Sequence, residues 1–259
     1  MNIPRSLKST FILYSANIFT LLLAWAVTKL NVTYLSVTEF GQFIFFITVI
    51  NTIYIFFTLG IFESAARLAA LSDTGIQYRK NVGASLALAL LAYASFTIIF
   101  WAIHWLIDSV FEVKISHLVL YFFPLAGAYL FFDFWQKILR GAGKISRLSW
   151  LITLPRLIYL ACLGILIFVN RFNLLTTTLF NLVGFLAVSI FYIFLEKPDF
   201  SGLSQSISRL KAEIKRFGIH IYWSELIAAF LLQSDKLFII FNLLIHFAVP
   251  GFLTGPADK

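Results

Sequence analysis

Few charged side chains interrupt the apolar runs of this sequence, and those few are where chemistry could be done. Arg156 lies about eight residues into a run that begins near Leu148, directly after Pro155. At 1.5 Å of rise per residue that is about 12 Å deep. A charge at such depth costs about 2.5–3.5 kcal/mol on insertion scales, so it needs a polar cavity, a partner or a route to the headgroups. Two readings stay open: a cation facing a central cavity, or an arginine that snorkels to the interface. Pro155 should kink its helix and free the carbonyl of Leu151. A second set lies near the C-terminal end. Glu225 and Lys236 are eleven residues apart and so about 20° apart on a helix, with Tyr222 and Gln233 beside them, while Asp235 points about 80° to the other side. A polar stripe along a membrane helix suggests a water-filled inner surface; the alternative is a helix end, or pairs with neighbouring helices.

Shorter-range charges have local explanations. Asp133 and Lys137, and likewise Glu63 and Arg67, are i, i+4 neighbours and are expected to pair along their own helices. Arg140, Lys144 and Arg147 are expected to set topology first and attract anionic lipid second. Enzyme motifs fail on inspection. Gly141-Ala142-Gly143-Lys144 hints at a phosphate-binding loop, but Ile138 replaces its first glycine and Ile145 its Ser/Thr. His104, His117, His220 and His246 fall on separate segments, so no metal site is expected, and Cys162, the single cysteine, allows no internal disulfide. No cofactor and no enzymatic activity are expected. Asn31-Val32-Thr33 fits a glycosylation sequon but hugs the membrane.

The elements that must hold these residues follow from composition. Of 259 residues 60% are hydrophobic and only 12% charged, with 18% aromatic. That is half the usual share of charge, too little to coat a water-soluble surface, and every segment is too apolar for disorder. Apolar runs place helices at about Phe11–Leu30, Phe40–Ile61, Val82–Ile107, Ile115–Trp135, Leu148–Val169, Asn173–Leu195 and Ile219–Ile245. Each meets the roughly 20 residues a bilayer core requires. The runs do not alternate as barrel strands do. The fold class is therefore all-α, a polytopic membrane helix bundle of about seven spans. Its expected divisions are a six-helix bundle over 1–198, a linker over 199–217, the start of a second bundle over 218–246, and an irregular tail over 247–259.

Loop charge orients the chain. With the N-terminus cytoplasmic, 14 of the 20 Lys and Arg fall on inside segments and 3 outside, a strong positive-inside bias. The net charge of +8 thus needs no nucleic acid. Ala24-Trp25-Ala26 has the look of a signal cleavage site, but the apolar run continues past it. In the linker, Leu203, Ile207, Leu210, Ile214 and Phe217 recur at helical spacing between basic residues, so a basic amphipathic helix is expected, flat on the cytoplasmic leaflet.

Four strings carry a resemblance. Thr38-Glu39-Phe40-Gly41-Gln42-Phe43 opens helix two, and Thr58-Leu59-Gly60-Ile61-Phe62-Glu63-Ser64-Ala65-Ala66-Arg67 leaves it. Leu139-Arg140-Gly141-Ala142-Gly143-Lys144 is a short glycine-containing turn, and Ser234-Asp235-Lys236-Leu237-Phe238-Ile239-Ile240 lies in helix seven. In order and spacing they resemble the polysaccharide-biosynthesis (Wzx-like) flippases of the multidrug/oligosaccharidyl-lipid/polysaccharide exporter (MOP) superfamily, over residues 5–243. The resemblance implies two six-helix halves rocking about a central cavity in a bacterial inner membrane. It implies an undecaprenyl-diphosphate-linked oligosaccharide as cargo, made and used by glycosyltransferases and a polymerase. It implies Arg156, Lys236 and Arg67 as substrate-binding residues, and Asp235 and Glu225 as ion- or proton-coupling groups. The chain holds one half and one further helix of that pattern, so a shortened product with impaired transport is expected. Alternatives are a drug/cation antiporter of the same superfamily, which favours an acidic cavity; a membrane-embedded transferase acting on lipid-linked sugars; and a non-catalytic membrane subunit.

Overall fold

The computed structural model describes residues 5–111, 114–229 and 231. The expectations for Lys236, Asp235, Gln233, His246 and the tail over 247–259 lie outside the described residues. Among the described residues every regular element is helical. Six stretches are long and apolar enough to cross a membrane: Thr10–Tyr34, Val37–Thr58, Gly75–Ala102, Ser116–Gly141, Ile145–Phe168 and Leu174–Glu196. They form a polytopic helical bundle.

Local signals explain the boundaries. Helix α1 (Arg5–Tyr34) is followed by α2 (Val37–Ile53), which opens on a capping box: Ser36 Oγ accepts from the Glu39 amide at 3.2 Å, and Glu39 Oε2 accepts from the Ser36 amide at 3.0 Å. The span continues through α3 (Ile55–Thr58) and then breaks, because Leu59 and Gly60 both take left-handed backbone, φ 45° and 73°. The exit string of helix two thus becomes a separate helix, α4 (Ile61–Ala70), set at a new angle. Helix α5 (Gly75–Ala102) begins seven residues before the expected start, since Thr74 caps it by accepting from the Gln77 amide. After α6 (His104–Phe111), the fourth span is built from α7 (Ser116–Ala126) and α8 (Ala128–Gly141). Helix α9 (Ile145–Phe168) runs unbroken through Pro155, and α10 (Leu174–Glu196) starts at an Asn173–Thr176 capping box.

The fourth span is the post of the bundle, and α8 packs against α4, α9 and α10. Phe134, Trp135, Phe62, Phe96 and Phe100 are fully buried around it. Helix α1 lies outermost and is held mainly by α9. In lipid the apolar effect does not drive helices together, so packing and polar pairs must. Thr20 and Thr153 hydroxyls meet at 3.1 Å, Asn31 Nδ2 donates to Tyr159 at 3.2 Å, and Tyr129 donates to Asn181 at 2.7 Å.

The linker corrects one expectation. Helix α11 (Leu203–Glu213) does form, but its apolar side is not offered to the leaflet. It packs on α5 and α4, with Leu210 fully buried. Arg209, Lys211, Lys215 and Arg216 face outward. A π-turn, Ile214–Gly218, leads into α12, residues 219–229. There the two backbones nearly touch: a Cβ on Gly218 would lie 2.4 Å from the Gly60 carbonyl oxygen.

Candidate functional site

The site is a cavity of about 470 Å³ at the end of the bundle that carries most of the basic residues. Helix α1 contributes Asn17 and Thr20, α8 contributes Gln136 and Arg140, and α9 contributes Arg156. Gln136 and Arg140 share a face because they are one helical turn apart. Phe132 and Phe185, with aliphatic side chains from α1 and α9, form the apolar wall. The Arg156 guanidinium donates to the Thr20 carbonyl at 3.0 Å, which fixes one edge of the fork. Two arginines with amide and hydroxyl neighbours, and no carboxylate among the described lining residues, make a cationic pocket in apolar surroundings. Such a pocket can take a phosphate or carboxylate through short, charge-assisted hydrogen bonds.

Of the residues singled out from sequence, Arg156 lines this cavity. Arg67 does not reach it. Its guanidinium pairs with Glu213 of α11 at 3.1 Å and covers the Phe217 ring at 4.5 Å, so it holds the linker. Glu225, on α12, is bound to Lys137 of α8. Arg140, Gln136 and Asn17 line the candidate site and were passed over in sequence reading. Their signal was the repeat of polar residues at one-turn spacing on α1 and α8, masked by assigning Arg140 to topology.

Both expected i, i+4 pairs are replaced by longer-range ones. Glu63 is 6% exposed and turned inward, so its partner must be interior too, and Lys137 Nζ meets it at 2.5 Å. Lys137 joins Glu225 in the same way rather than closing on Asp133, and Arg67 is left to Glu213. Burial lifts the Glu63 carboxyl from the ordinary 4.5 to about 7; Lys137 opposes the rise and Glu225 adds to it. On the other flank, Glu196 is buried at the end of α10, where Lys144 and Arg147 pair with it and the Tyr78 hydroxyl donates to it at 2.9 Å. Those two cations are thus engaged within the bundle.

No family model and no curated protein matches this sequence. Solved structures do. A point mutant of a MATE aligns over 88% of this chain and 56% of its own, at 20% identity and a TM-score of 0.61. A MOP superfamily transporter from Pyrococcus furiosus, described as having a binding pocket of reverse polarity that suggests a different function, aligns over 87% and 53%, at 21% identity and a TM-score of 0.58. A MATE in complex with Br-NRF aligns over 87% and 55%, at 21% identity and a TM-score of 0.54. The fold is theirs. This chain spans little more than half the length of the transporters it matches.

Proposed function

We propose that this chain is a transporter unit of the MOP superfamily whose cargo is an anionic, lipid-linked oligosaccharide, as the Wzx-like strings imply. Cavity polarity carries the reading: Arg140 and Arg156 face a pocket with no carboxylate among its described lining residues. A diphosphate cannot enter hydrocarbon unpaired, and two guanidinium groups offset the cost of stripping its water. Asn17 and Gln136 can donate to phosphate oxygens and exchange neutral hydrogen bonds with sugar hydroxyls. A drug/cation antiporter would want the opposite polarity, and the Pyrococcus furiosus transporter is a case in which pocket polarity was the ground for a different function. In this reading the basic end of the bundle is cytoplasmic, the membrane is the bacterial inner membrane, and cargo is loaded from the inner leaflet. Arg67 stands aside from cargo binding, and flipping requires the second half of the fold.

The test is binding to the purified, detergent-solubilised chain. Undecaprenyl diphosphate should bind saturably, undecaprenol should not, and the Arg140→Gln/Arg156→Gln double variant should lose binding. Equal retention of the alcohol and the diphosphate would refute the reading.

A further inference from the structure

Charge does not balance where α4, α8 and α12 meet. Lys137 Nζ is bonded to Glu63 Oε1 at 2.5 Å and also to Glu225 Oε1. Asp133 lies one turn before Lys137 on α8. The Glu63 side chain is 5% exposed, and its second oxygen, Oε2, is inaccessible and has no hydrogen-bond donor. Glu225, its side chain 42% exposed, meets the same ammonium, and two carboxylates are both acceptors. Side by side and ionised they repel, and one ammonium neutralises only one of them. A proton on either turns the repulsion into a hydrogen bond. A metal ion fits poorly, because Lys137 Nζ already occupies the point on which the carboxylates converge.

We propose that Glu63 and Glu225 bind one proton between them, and that this proton fastens α12 to the half-bundle. Other groups face the pair from the packed elements: Tyr54 beside α3, and Asp133 and Lys137 from α8. Arg67 is turned away to Glu213. The direction follows from Glu63. Docked, its carboxyl titrates near 7; released into water it returns to the ordinary 4.5. Docking is therefore fully stabilised below about pH 4.5 and loses that contribution as pH rises through about 7. Released, α12 would swing at the Gly60–Gly218 contact. The site is independent of the cargo, so it stands or falls separately from the cavity.

Hydrogen exchange on the full chain in detergent, corrected for intrinsic rate, reads the latch. Amides over 214–229 should exchange at least tenfold faster at pH 8.5 than at pH 5.5. Glu63→Gln and Glu225→Gln keep a donor that cannot ionise and should flatten that dependence. Infrared spectroscopy of the unaltered chain should show a protonated-carboxyl band at pH 5.5 that titrates away near pH 7. An unchanged pH profile in Glu63→Gln overturns the proposal, and so does the absence of a titrating carboxyl band.

Discussion

Gln136 and Lys137 are neighbours on α8, yet they point about 100° apart and into opposite worlds. On the Gln136 side the cavity holds Arg140 and Arg156 with no acid among the described lining residues. On the Lys137 side Glu63 and Glu225 converge on a single ammonium, with Asp133 nearby. Each region carries an excess of one sign of charge, two arginines in the cavity lining and two carboxylates on one ammonium at the junction. An excess of positive charge calls for an anion, and an excess of carboxylate for a proton. One helix thus separates a pocket lined by two arginines from a junction where two carboxylates share one ammonium.

The comparison breaks most sharply at Lys137. Lys137→Met removes the ammonium that pairs with the buried Glu63 and the part-exposed Glu225 and should destabilise the chain by about 3–5 kcal/mol at pH 8. Thermal unfolding in detergent checks this, and much of the loss should return at pH 5.5 as Glu63 takes up a proton. The cavity gives a smaller effect. Arg156→Gln should weaken undecaprenyl diphosphate binding by about 1.5–3 kcal/mol, roughly tenfold to a hundredfold or more, while leaving the fold intact. The same substitution should leave the pH dependence of 214–229 exchange unchanged, which separates the two regions. Gly218→Ala sharpens the hinge: its Cβ would lie 2.2 Å from Ser64 Oγ and 2.4 Å from the Gly60 carbonyl. That clash should cost about 1–3 kcal/mol and raise exchange over 214–229 at every pH. Arg67→Ala, at a pair 36% exposed on the arginine side, should cost only about 0.2–1 kcal/mol and leave ligand binding unaltered.

Six apolar runs announced the six spans because composition alone decides what can face lipid. The amphipathic linker was legible for a similar reason, in the spacing of Leu203, Ile207, Leu210 and Ile214. What covers its apolar side was not, since a periodic stripe names no partner, and Leu210 chose α5 and α4 over lipid. The break after α3 has Gly60 as a signal, but Leu59 in left-handed backbone has none. Ion-pair partners were misread for one physical cause: sequence shows neighbours along a helix, whereas Lys137 reaches Glu63 and Glu225 across space. Arg156 could be picked out by its depth in an apolar run. Arg140 could not, because a basic residue at a span end satisfies topology without any cavity.

The most direct test of a cargo pocket between α1, α8 and α9 is photo-crosslinking with a short polyprenyl diphosphate that carries a photoreactive group on its terminal phosphate. Mapped by mass spectrometry, adducts should fall on Asn17, Thr20, Gln136 or Arg156 and vanish when unlabelled undecaprenyl diphosphate is added. Adducts confined to the basic turn over 144–147 or to the outward face of α11, with none in the cavity, would contradict it.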